Sequence, residues 1–264
     1  MSDLVCLSTA KSCNPGYQPD PSNPKRCIDI DECQQGSHNC EQECYNRPGS
    51  YRCNCFDGFV IDSADKTKCK ALRACTDPVD VFFLLDESDN VPPNSYKHIR
   101  RFPARMTSHF FFGETGAKYG AAKVATDVTD LFGLNTYDRR IKVADALRAT
   151  TRGGGDSNIH LGLNYVSNNE VFSSALGGRD SAPNVVVFII GGPSANPDEA
   201  KEAADRVRSG GGLVIAVGAG PNLSRAELLG IGGSDKDTFL VPTLDDLDDV
   251  EKSVMEQICP STRT

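Results

Sequence analysis

The sequence predicts an α/β domain built on a doubly wound, mostly parallel sheet and preceded by small disulfide-rich modules. Ten of the eleven cysteines fall between Cys6 and Cys75, and the last is Cys259. Residues 76–258 carry no cysteine and hold continuous Val, Ile, Leu and Phe runs separated by amphipathic stretches. A short cysteine-dense segment buries too little apolar surface to hold itself together and depends on disulfides. Apolar runs alternating with helical stretches read as buried strands crossed over by helices.

From the N-terminus, Met1-Ser2-Asp3-Leu4-Val5 opens no apolar stretch of signal-peptide length, and the longest apolar run, Val185 to Ile190, is too short to span a bilayer. With this density of cysteine the chain is read as a mature or excised fragment of a secreted protein. A zinc site is the rival reading of the cysteines, but none is spaced C-x-x-C. The net charge of −8 argues against nucleic acid and suits a protein working among divalent cations.

Cys33, Cys40, Cys44, Cys53, Cys55 and Cys69 follow one another at intervals of 7, 4, 9, 2 and 14. Six cysteines allow fifteen pairings in principle. The spacing, with Cys53-Asn54-Cys55 followed by Gly58-Phe59, resembles an EGF-like domain over residues 29–70. That resemblance implies the pairs Cys33–Cys44, Cys40–Cys53 and Cys55–Cys69. Asp29-Ile30-Asp31-Glu32 ahead of the first cysteine and Asn46 within Cys44–Cys53 are similar to the calcium-binding form of the module. The family pattern implies side-chain ligands from Asp29, Glu32 and Asn46, with carbonyls of Ile30, Arg47 and Ser50; hard oxygens of this kind are what calcium takes. The context around Asn46 is also like that of the family's β-hydroxylation sites. Cys13-Asn14-Pro15-Gly16-Tyr17 and Cys27 look like the last loop of a partial module over residues 1–28, which implies Cys13–Cys27. Cys6 is then left over and is expected to pair with another chain, to pair outside this fragment, or to stay free. A calcium ion at the junction would stiffen it.

In the larger part, Val79 to Leu85, Val185 to Ile190 and Leu213 to Val217 read as strands. Helices are expected over Tyr96 to Phe110, Asp138 to Thr150, Ile159 to Glu170, Pro197 to Arg208 and Leu244 to Ile258. Ligands of such sheets collect at the carboxyl ends of the strands. There stands Asp86-Glu87-Ser88-Asp89-Asn90, similar to the D-x-S-x-S motif of von Willebrand factor A domains. The resemblance over residues 75–259 implies a Rossmann-like domain with a metal-ion-dependent adhesion site holding magnesium or manganese through Asp86, Ser88, Asn90 and Ser157. Glu87, Asp89 and Asp156 lie nearby, but alternation along the first loop points Glu87 and Asp89 away. Gly191 occupies the position of the family's third-loop aspartate, so the affinity should fall. Cys75 and Cys259 look like the pair that ties the ends of many A domains. The order of modules is similar to that of the matrilins, which add a C-terminal coiled coil; residues 260–264 hold no heptad, so trimerisation is not expected from them.

Gly218-Ala219-Gly220 hints at a nucleotide loop, but Pro221 removes a backbone donor and Leu223 stands in place of a third glycine. His38, His98, His109 and His160 form no motif with a serine or cysteine nucleophile, so hydrolase chemistry is not expected. Asn222-Leu223-Ser224 is a glycosylation sequon, with a turn or helix-cap role for Asn222 as the alternative. The expected function is that of a secreted, non-enzymatic extracellular-matrix adaptor binding collagen or another matrix protein. Two alternatives are a metal-independent component of an extracellular thread, shell or coat, and an adhesin of a motile parasite.

Overall fold

The computed structural model describes residues 12–56, 59–62, 64–71, 75–259 and 261; Cys6 and Gly58 lie outside them. The chain divides into two compact units, Met1–Leu72 and Arg73–Thr264.

The first unit is three short antiparallel ribbons held by disulfides. Strands β1 (Tyr17–Asp20) and β2 (Asn23–Asp29) pair across a turn in which the Asp20 carboxylate accepts from the Ser22 backbone N–H at 2.9 Å. Helix α1 (Glu32–Gln35) starts on Asp31, whose side chain accepts from Gln34 N, and stops at Gly36 in the left-handed region. Strands β3 (Glu43–Arg47) and β4 (Ser50–Asn54) form a hairpin whose turn needs Gly49 at φ +78°. Strands β5 (Phe59–Ile61) and β6 (Cys69–Ala71) close the unit. The bonds are Cys13–Cys27, Cys33–Cys44, Cys40–Cys53 and Cys55–Cys69.

The second unit is a three-layer α/β domain. In chain order it runs β7 (Val79–Asp86), α2 (Tyr96–Met106), β8 (Ala117–Val124), β9 (Val128–Phe132), α3 (Arg140–Ala149) and α4 (Ile159–Asn168). It continues through β10 (Asn184–Ile190), α5 (Pro197–Ser209), β11 (Leu213–Ala219), α6 (Arg225–Gly232), β12 (Thr238–Val241) and α7 (Leu247–Ile258). The sheet order is β12-β11-β10-β7-β8-β9, parallel throughout except for the edge strand β9. All eight residues of β7 are buried, as a central strand covered on both faces requires. Val79, Val81, Phe83 and Leu85 pack on one face with Ile99 and Phe102 of α2, Leu147 of α3 and Val254 of α7. Phe82 and Leu84 pack on the other with Leu163 of α4, Ala203 of α5 and Leu228 of α6.

Two devices hold the ends. Cys75–Cys259 closes a loop of 184 residues, which in the chain-entropy account stabilises by about 5 kcal/mol. Asp80, fully buried at the start of β7, receives the Arg179 Nε at 2.9 Å and Nη2 at 2.6 Å. The same guanidinium donates to the carbonyls of Val79, Gly113, Glu114 and Gly116. This clamp sits at the opposite end of β7 from Asp86.

The expected helices are present, four of them with shorter ends and α5 one residue longer, to Ser209. The α2 helix gives way to a 3-10 turn over Thr107–His109, and α7 is preceded by another over Leu244–Asp246 in which Thr243 and Asp246 form a capping box. Strands β8, β9 and β12 and helix α6 were not expected from the sequence. Strand β8, AKYGAAKV, has small residues at four of its eight positions, and Phe82 needs the room at one of them: a Cβ on Gly120 would lie 2.6 Å from its ring.

Candidate functional site

Parallel strands deliver their carboxyl ends to one edge, and three loops converge there. Asp86 closes β7 and is 2% exposed. Its Oδ1 accepts from Ser88 N at 2.9 Å and its Oδ2 from Gly191 N at 2.8 Å. Burial pushes its carboxyl above the usual range, and the hydrogen bonds from Ser88 and Gly191 pull the other way. The Ser88 hydroxyl lies beside that carboxylate, yet neither it nor the Ser157 hydroxyl completes a hydrogen bond of proper geometry, and both are buried. The Ser88 hydroxyl beside the carboxylate and a second orphaned hydroxyl, Ser157, on the loop between α3 and α4 leave a cradle of oxygens with unused lone pairs at this edge of the sheet.

The second loop is locked to the first. Asp89 N donates to Gly155 O at 2.8 Å and Gly154 N to Glu87 O at 3.0 Å. Gly155 sits at φ +109°, and a Cβ there would lie 2.3 Å from Thr126 Oγ1. Glu87 turns away from Asp86 to take Lys123 Nζ at 2.7 Å and Gly153 N at 2.6 Å. Arg152 crosses from the second loop to the Ser88 carbonyl at 2.8 Å and to Asp89 Oδ1 at 2.5 Å, and this contact holds the Asp89 carboxyl below its ordinary range. No local motif marks Arg152 or Lys123, because both partnerships join distant segments.

The third loop, after β10, is pinned from three sides. Asn90 Nδ2 donates to Pro193 O at 2.9 Å, Ala195 N donates to Ser157 O at 2.8 Å, and Ser194 N donates to Glu227 Oε1 at 2.6 Å. Asn90 is thus an exposed tie between the first and third loops, its amino group already spent. Gly191 brings its backbone N–H to Asp86 and no carboxylate. A Cβ at position 191 would lie 2.3 Å from Val91 Cγ2 and 3.5 Å from Asp86 Oδ2, so a side chain there would reach the cradle only after Val91 moved. The residues present, one carboxylate and two free hydroxyls, fit a divalent cation held with one carboxylate fewer than Asp86, Ser88 and Ser157 would have with an aspartate beside them.

In the first unit, Asp29 at the end of β2 accepts from Gly49 N at 2.5 Å and from Asn46 Nδ2 at 2.8 Å. Asn46 Oδ1 and Glu32 Oε2 are buried and have no partner. Buried acceptors without donors are costly unless a cation meets them, so Asp29, Glu32 and Asn46 fit calcium. Ile30 follows Asp29, with its N–H donating to Gly16 O at 2.9 Å. Arg47 and Ser50 face each other as the last pair of the β3–β4 hairpin.

Other features have structural explanations. His38 with Cys40 and Cys44, and Asp77 with Cys75 and Cys259, come close enough to ligate a metal, but the cysteines are oxidised. His98, His109 and His160 pair with Asp245, Glu251 and Glu199. A Cβ on Gly218 would lie 2.4 Å from Leu223 Cδ2, so that glycine serves close packing. Among the described residues no helix is long and apolar enough to cross a membrane.

Comparison with known proteins accords with this geometry. Residues 80–253 match the von Willebrand factor type A domain, residues 29–69 the calcium-binding EGF domain, and residues 12–32 the complement Clr-like EGF-like module. Matrilin-1 of Mus musculus is 27% identical over 237 residues, covering 88% of this chain and 46% of its own length. Matrilin-1 of Gallus gallus is 27% identical over 194 residues, covering 74% of this chain and 39% of its own. The chain therefore spans less than half the length of these relatives. In fold it is similar to proximal thread matrix protein 1 of the mussel byssus, with a TM-score of 0.66, 22% identity, and coverage of 70% of this chain and 49% of that one. Plasmodium vivax TRAP protein, solved loaded with manganese, superposes with a TM-score of 0.55 at 15% identity, covering 69% of this chain and 75% of that one.

Proposed function

The chain belongs to the von Willebrand factor type A domain family and carries a matrilin-like calcium-binding EGF module ahead of that domain, and on that premise we propose that it is a non-enzymatic extracellular-matrix adaptor. The A domain binds a matrix partner such as collagen at the carboxyl end of its sheet, and the EGF-like part is a calcium-stiffened spacer. The observation that carries the reading is the pair of buried, unpartnered hydroxyls of Ser88 and Ser157 on two of the loops at the Asp86 end of the sheet. A magnesium or manganese ion bound there would offer an open coordination position to an acidic side chain of the partner. The chain's own residues do the rest. Asp86 supplies the fixed charge, Ser88 and Ser157 the neutral oxygens, and the contacts of Arg152 and Glu227 keep the flanking loops from moving.

The test uses the full chain with calcium kept saturating, so that the EGF-like site is not disturbed. Binding to a collagen-coated surface is measured with and without manganese, for the wild type and Ser157→Ala. Binding that needs manganese and is lost in the variant is the expected result.

Binding indifferent to both would turn the reading toward a metal-independent component of a thread, shell or coat. Two observations favour that second reading: position 191 brings no carboxylate, and Arg152 already places a cation across the first loop. The fold likeness to a byssal thread protein is in keeping with it.

A further inference from the structure

The sequon Asn222-Leu223-Ser224 occurs once in the chain, and neither cation site uses it. It lies in the turn from β11 to α6. Because β11 runs parallel to β10, with Gly218 opposite Ile190, the chain leaves β11 at the same edge as the third loop. The turn abuts that loop: a Cβ on Gly220 would stand 3.3 Å from the Gly191 carbonyl oxygen. Leu223 is 4% exposed and packs into the core, which anchors the turn and leaves Asn222 and Ser224 on the surface.

The competing explanation for an asparagine here is that it caps the following helix. That role is already filled. Ser224 is the cap residue of α6, its hydroxyl accepting from Glu227 N at 3.1 Å, and Glu227 in turn holds Ser194 of the third loop. Among the described residues no hydrogen bond engages the Asn222 amide. Its exposed side chain has no structural task, in a motif whose chemistry is attachment of a bulky, solubilising sugar.

We infer that Asn222 carries an N-linked glycan, and that the glycan stands on the rim of the carboxyl-end face and bounds the partner surface on its α6 side. The inference rests on the extracellular reading, since the modification belongs to the secretory route. In the step itself the Asn222 Nδ2 gives up a proton and bonds to the anomeric carbon of a lipid-pyrophosphate-linked oligosaccharide. The lipid pyrophosphate departs with the electron pair of the broken bond.

The full chain is expressed behind a secretion leader in eukaryotic cells as wild type, Asn222→Gln and Ser224→Thr, and intact masses are measured before and after peptide-N-glycosidase. The wild type and Ser224→Thr should show a mass excess made of hexose and N-acetylhexosamine units that the enzyme removes, while Asn222→Gln stays at its polypeptide mass. A wild-type chain that is secreted and oxidised but has the bare polypeptide mass would overturn the inference and leave the extracellular reading intact. Retention of wild type and Asn222→Gln alike with reduced thiols would remove that reading, and this inference with it.

Discussion

Replacing Asn46 by alanine separates the calcium site from the scaffold that holds it. Without calcium two effects oppose each other. The substitution deletes the hydrogen bond from Asn46 Nδ2 to the Asp29 carboxylate at 2.8 Å, and a bond to a charged group contributes roughly 1.5–3 kcal/mol. It also deletes Asn46 Oδ1, a buried acceptor with no partner, whose desolvation costs roughly 1–3 kcal/mol. The two offset, so in chelator the variant should unfold within about 1 kcal/mol of the wild type. With calcium in excess only the loss remains. Removing one ligand should weaken affinity at least about tenfold, about 1.4 kcal/mol, and the calcium-induced stabilisation shrinks by the same amount. Isothermal titration of the full chain with calcium, together with unfolding of both proteins in calcium and in chelator, reads the two effects separately. An unchanged titration, or equal destabilisation with and without calcium, would refute the ligand assignment.

Further outcomes follow from the A domain. Arg179→Met strips the fully buried Asp80 of its guanidinium and removes that group's bonds to four backbone carbonyls; breaking a buried pair of this kind should cost about 3–5 kcal/mol, read by urea unfolding with the disulfides intact. Adding Asp80→Asn should recover part of that loss, and no recovery would show that the charge was not the cause. Burial holds the Glu227 carboxyl above its usual range, against the hydrogen bond from Ser194. A carboxyl whose folded pKa is raised takes up a proton on folding, so its contribution to stability grows as the pH falls through the folded value and is complete below the unfolded one. Glu227→Gln keeps an oxygen for Ser194 and removes the charge. Its melting temperature should exceed that of the wild type near neutral pH, with the difference closing on acidification; a difference independent of pH would contradict the cause given.

The elements legible in the sequence are those with unbroken apolar or amphipathic pattern. Strands β7, β10 and β11 announce themselves as Val, Ile, Leu and Phe runs because they are central and covered on both faces. Strand β8 is nearly as buried, but its alanines and Gly120, where Phe82 occupies the space a side chain would need, are interrupted by two half-buried lysines, so it carries no apolar run. The edge strand β9 and the eight-residue α6 are too short or too polar to stand out. At the site, Asp86, Ser88 and Ser157 were visible because their spacing is local to two motifs. The residues that support them, Arg152, Lys123 and Glu227, were not, because each acts across a separation of more than 30 positions in the chain. Asn90 was legible as an oxygen donor, while its use as a tie to Pro193 depends on a contact 103 residues away.

Hydrogen exchange of the full chain, free and bound to a collagen fibril in calcium and manganese, asks most directly where the A domain meets its partner. Slowed exchange confined to residues 86–91, 153–158 and 191–196 is the predicted result. Protection centred instead on the far end of the sheet, around Arg179 and Gly211, would mean that the oxygen-lined loops are not the gripping surface.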